Sequence, residues 1–157
     1  MTTDPGLAHR RGPRPRTTDT NPHSQLDQQP TDPAIRQRLA ARMFALPGVT
    51  EQPSRISLPG ARALWLEDPP PSAPPEAFMV EAEFAHLHPP PDFSLHVALP
   101  PDVASAAVEV GWGEVHPMAA RGILAPSVLM IYAPRDDDEL DTVAQLVEAA
   151  WKHATAS

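Results

Sequence analysis

No cysteine occurs in the 157 residues, which removes disulfides, cysteine-ligated zinc and thiol nucleophiles together and gives no sign of an oxidising compartment. No stretch approaches the roughly 20 apolar residues of a membrane span. The arginines near the amino end have no apolar run behind them, so neither a secretory signal nor an anchor is expected. Clustered Lys and Arg are scarce as well. The formal net charge is −8, which argues against nucleic acid or an anionic membrane as a partner. A cytoplasmic protein is the default expectation.

Proline, by contrast, is abundant, with 22 copies, so part of the chain has to be punctuation or linker. Residues 1–30 combine Pro, Arg, Thr, Asp and Gln with almost nothing to bury, and such a composition does not recover the entropy of ordering itself. They are expected to be a disordered, solvated tail. Four Arg against three Asp in this stretch leave the acidity on residues 31–157, which are expected to form the single domain.

The spacing predicts a helix from Thr31-Asp32-Pro33, with Asp32 as cap and Ile35, Leu39, Met43 and Leu46 on one face, ending at Pro47-Gly48. Residues 55–58 and 63–66 flank Pro59-Gly60 and read as a hairpin. Phe78 to His88 reads as one long strand and Ser94 to Leu99 as a second, joined across a proline-rich loop. A helix with Val103, Ala106, Ala107 and Val110 as its stripe closes at Gly111, and Gly111 to Pro117 reads as a loop. Ser127 to Tyr132 is a continuous apolar run suited to a strand covered on both faces. Asp136 and Glu139 form a capping box on the last helix, so the acidic run at Asp136, Asp137 and Asp138 is read as helix start rather than as a cation site. Hairpins in succession give an α+β fold, an antiparallel sheet with helices packed on it.

Of the seven histidines, His86, His88, His96 and His116 fall within about thirty residues. If residues 88–94 form a hairpin loop, His86 sits across from His96 at the roughly 5 Å of cross-strand neighbours, with His88 one pleat away. In an unbulged strand Phe84, Val80 and Phe78 share that face, and an apolar setting lowers a histidine pKa and favours the neutral ring. Glu83 or Glu114 can orient these imidazoles. The competing reading is a set of core imidazoles satisfied by neighbouring backbone. His86, His88 and His96 are the trio for a divalent metal (zinc, iron or copper) if one is bound, although the spacing matches no common metal motif. Trp112, set between two glycines, reads as a ligand wall or equally as a core plug.

Four stretches in order, EFAHLH, the following SLH, GWGEVHP and YAPRDDDEL, resemble the luciferase-domain family to which the fungal luciferases belong, over roughly residues 78–151. The resemblance implies a site drawn from Glu83, His86, His88, His96, Trp112, His116, Tyr132 and Arg135. The fungal form has a further histidine where this sequence has Pro91. The family's fungal enzymes add molecular oxygen to a hydroxylated styryl-pyrone without an organic cofactor, so no cofactor is implied for this chain.

From residues and resemblance together, the expected function is binding of a planar phenolic or enolic small molecule at a histidine-lined pocket, with Phe84, Trp112 and Tyr132 as walls, and a cofactor-independent oxygenase step. His86 or His96 would be the base, and Arg135 would hold the developing negative oxygen. The alternative is a non-catalytic ligand- or protein-binding domain whose histidines are structural.

Overall fold

The computed structural model describes residues 6–156. Among them, helix α1 (Ala34–Phe44) is followed by strands β1 (Val49–Pro53), β2 (Arg62–Leu66), β3 (Glu83–Leu87) and β4 (Leu95–Ala98), then helix α2 (Pro101–Glu109), strands β5 (Gly113–Val115) and β6 (Val128–Ile131), and the long helix α3 (Asp137–Ala154). The strands make one sheet of order β1-β2-β3-β4-β6-β5, antiparallel at every pairing. This is the α+β architecture expected from the hairpins.

One face of the sheet is apolar because period-two alternation brings Leu64, Ala85, Val97 and Leu129 into one cross-strand row. Helix α3 lies against β3 and β4 and supplies Leu140, Val143, Leu146, Val147 and Ala150 to that core, joined by Ile35, Leu39 and Met43 of α1. These helical residues recur every three or four positions, so each helix buries one stripe. Asp32 Oδ1 accepts from Ala34 N at the start of α1, and Asp136 Oδ1 accepts from Glu139 N at the start of α3, as the cap signals require.

Several boundaries differ from the sequence reading. The partner of β2 is residues 49–53 rather than 55–58, which form an irregular connection. The long strand expected from Phe78 is ordered as a strand only from Glu83, because a turn at residues 80–83 with Glu81 at φ 51 precedes it. The supposed loop after Gly111 contains β5. There Gly113 passes so close to β6 that a Cβ would lie 2.5 Å from the Met130 carbonyl oxygen, so the glycine is needed for strand pairing.

The larger correction concerns the amino-terminal segment, expected as a detached tail. Its described part, residues 6–30, packs on the domain. Arg10, His23 and Gln25 are buried, Arg10 N donates to Val110 O, Arg14 Nη1 to Gly113 O, and the Gln25 side-chain oxygen accepts from the buried Ala133 N. A local hairpin, with Thr17 paired to Gln25, carries His23 at its turn end. Composition had counted apolar side chains, whereas this strap is held by hydrogen bonds from polar ones.

Candidate functional site

The face of the sheet away from the helices carries a second row. Ala63, His86, His96, Met130 and Glu114 are successive cross-strand partners on β2, β3, β4, β6 and β5. The register His86↔His96 is the one expected from the 88–94 loop, and His88 N bonds Ser94 O at the loop's base. The row is therefore set by strand pairing, and the strap adds His23 from above it. His116 joins from the start of a short helix at residues 117–121, where its Nδ1 accepts from Met118 N at 3.0 Å.

Five buried imidazoles meet around His96. Its Nδ1 lies 2.8 Å from His88 Nε2 and 3.3 Å from His86 Nε2, and its Nε2 lies 3.1 Å from His23 Nδ1. The His116 ring centroid is 4.8 Å from that of His96. Behind three of these rings stands a carboxylate. Glu83 Oε2 is 2.8 Å from His86 Nδ1, Glu114 Oε2 is 2.8 Å from His23 Nε2, and Asp92 Oδ2 is 3.2 Å from His88 Nδ1, which also meets Ser94 Oγ at 2.9 Å.

Glu83 is itself completely buried, yet held: Ser54 Oγ donates to its Oε2 and Arg55 N to its Oε1. Its position depends on a bulge. The β2–β3 register shifts between Leu64 and Trp65, so that Trp65 pairs with Glu83 while Leu64 pairs with Ala85. The extra residue, Phe84, turns into the helix-side core, and Glu83 comes round to the histidine face.

Burial, the largest influence, and the neighbouring rings push His96 well below the ordinary histidine value; burial likewise lowers His86, and it brings His116 down to about 4. Burial alone would raise Asp92 and Glu114. Bonds from His88 and Ser94 in the first case, and from His23, Tyr132 and Thr17 in the second, outweigh it and hold both carboxyls low. The cluster opens on a cavity of about 560 Å³, with Pro22, Ile56, Leu58, Met79, Leu124 and Val128 among its apolar walls. Among the described residues, two histidine trios have nitrogens close enough for a common cation: His86, His88 and His96, and His23, His96 and His116.

Not every expected residue reaches this cavity. Phe84 faces the helices. Trp112 is 4% exposed, packs in the core and donates its indole N–H to Ala8 O. Tyr132 donates to Glu114 Oε1 at 2.8 Å behind His23, and burial, with that carboxylate, pushes its phenol up to about 12. Arg135 is tied to Glu139 and to Arg11 O at the start of α3. His23 was missed, because it lies in the segment set aside as tail. The signal present was its turn chemistry, Asp-Thr-Asn-Pro before the histidine, which closes the strap's hairpin.

The family model for the luciferase domain matches residues 81–150. Luciferases of Armillaria gallica and Armillaria mellea are each 32% identical, over 96% of this chain and 62% of the relative. The luciferase of Neonothopanus nambi is 36% identical over 46% of this chain and 28% of its own length. This chain thus spans about three-fifths of the Armillaria proteins. No solved structure matches.

Proposed function

This chain belongs to the luciferase-domain family, and from that premise we propose that it binds a planar phenolic or enolic small molecule in the histidine-lined cavity and promotes the molecule's reaction with molecular oxygen. The observation that supports the proposal is a set of imidazoles whose outer nitrogens face carboxylates, whose inner nitrogens converge on His96, and which together line a largely apolar cavity.

In the bare cluster His86 is the base. Glu83 holds the proton on Nδ1, which leaves a lone pair on Nε2, 3.3 Å from His96 Nδ1, to take the enol proton. The resulting enolate carbon forms a bond to O2 and gives a peroxide whose two oxygens both come from O2. No external reductant enters that step. His116, whose Nδ1 accepts from Met118 N, carries its own proton on Nε2 and can donate to the developing oxyanion, the role first expected of Arg135. No helix among the described residues is long and apolar enough to cross a membrane.

A hydroxylated 2-pyrone titrated anaerobically into the protein is expected to bind, and His96→Ala to weaken binding by about 10-fold or more, the value of one good hydrogen bond. Unchanged affinity in that variant would remove the cluster from the ligand site. The second reading, a non-catalytic binding domain with structural histidines, is favoured by the complete outer shell of partners. It would be supported by tight binding with no oxygen consumed.

A further inference from the structure

We propose that His86 Nε2, His88 Nε2 and His96 Nδ1 together bind one divalent first-row transition ion, with Glu83 and Asp92 fixing two of these ligands from behind. The argument is a count of protons. Glu83 places the proton of His86 on Nδ1, Asp92 with Ser94 places that of His88 on Nδ1, and Glu114 places that of His23 on Nε2. The Ser94 hydroxyl is spent on Asp92 Oδ1, so it does not supply a proton to His88. His86 Nε2, His88 Nε2 and His23 Nδ1 are then bare, and all three face His96 at 3.3, 2.8 and 3.1 Å.

A neutral His96 has one proton. On Nδ1 it leaves Nε2 set against the lone pair of His23, and on Nε2 it leaves Nδ1 set against two lone pairs. A doubly protonated His96 would satisfy all three contacts, but it would be an imidazolium with both faces of its edge among buried rings, and burial of charge opposes it. A cation on the Nδ1 side resolves the conflict. His96 then keeps its proton on Nε2, donates to His23 Nδ1, and His23 passes a second bond to Glu114, so every nitrogen in the chain is satisfied.

The other trio does not give this result. His116 Nδ1 already accepts from Met118 N, so a neutral His116 holds its proton on Nε2 and has no second lone pair for an ion shared with His23 and His96. Carboxylates behind ligating histidines are the usual outer shell of a metal site, and three imidazoles suit zinc, iron or copper while leaving a position toward the cavity. The inference deepens the proposed function in that it shares the cavity, but its ligands are independent of any organic molecule. With an ion bound, His86, His88 and His96 would hold it, it would supply Lewis-acid chemistry on the cavity side, and His86 Nε2, then a ligand, would no longer serve as the base.

The full chain, stripped with chelator, is titrated with Co2+ and with Zn2+ alone. One ion per chain is expected, with visible d–d absorption for Co2+. His86→Ala and His96→Ala should lose binding, Asp92→Asn should weaken it by about 10- to 100-fold, and His116→Ala should leave it unchanged. Circular dichroism identifies any variant that has not folded, and the wild-type titration stands without them. Absence of stoichiometric uptake by the wild-type chain overturns the proposal, as does a loss in His116→Ala equal to that in His86→Ala. Metal uptake without pyrone binding would leave this site standing and remove the proposed substrate, and the converse result would do the reverse.

Discussion

Glu83 and His86 are three positions apart, a spacing that sends strand residues to opposite faces, yet their side chains meet at 2.8 Å. The bulge at Phe84 accounts for this, and alternation read from sequence has no access to it. The same irregularity explains why Phe84 lines the core. Glu83 and Glu114 were nevertheless legible as orienting groups, since a buried imidazole cluster requires acceptors. Arg135 was not legible as a structural residue, because its partner Glu139 was assigned wholly to the cap. In fact Glu139 accepts from Arg135 N and guanidinium, with Arg11 also within reach. Burial would raise Glu139, but the bonds from Arg135 outweigh it and hold the carboxyl below its ordinary 4.5. A depressed carboxyl stabilises the fold above its unfolded value and loses that contribution as pH falls through the folded one. Urea midpoints measured from about pH 6 down to about pH 3 should therefore fall more steeply in the wild type than in Glu139→Gln. Parallel profiles would show that the pair contributes nothing.

At the scale of elements, the β3–β4 hairpin was readable to the residue, because Pro89, Pro90 and Pro91 leave no other place for the turn and the histidine pairing follows. The first hairpin was misplaced, since Pro59-Gly60 resembles a tight turn although the chain makes a longer connection there. Gly-Trp-Gly was visible as a motif but not its reason, which lies in the close approach of Gly113 to Met130. The strap is the clearest failure: a segment poor in apolar residues orders itself by capping polar groups of the domain. Deleting residues 1–30 would leave the buried Ala133 N without its acceptor, at about 1 to 3 kcal/mol, and would strip Glu114 of His23 and Thr17, leaving it Tyr132 alone. The melting temperature is expected to fall by at least about 5 °C. A truncated protein that melts with the full chain would show that the strap is a detached tail in solution.

For the molecule as a whole, helices cover one face of the sheet and the strap covers part of the other, so the polar row of the sheet is enclosed without entering the hydrophobic core. That separation lets a cluster of imidazoles be buried while α1 and α3 supply the packing. Three carboxylates, Glu83, Asp92 and Glu114, stand behind the cluster, each engaged by a histidine. The most direct test of the proposed function is oxygen uptake by the full chain with a hydroxylated 2-pyrone, followed at an electrode. Uptake of O2 in proportion to pyrone consumed, abolished in His86→Ala, is the expected result; pyrone bound at the cavity with no oxygen consumed, with or without added metal, would contradict it.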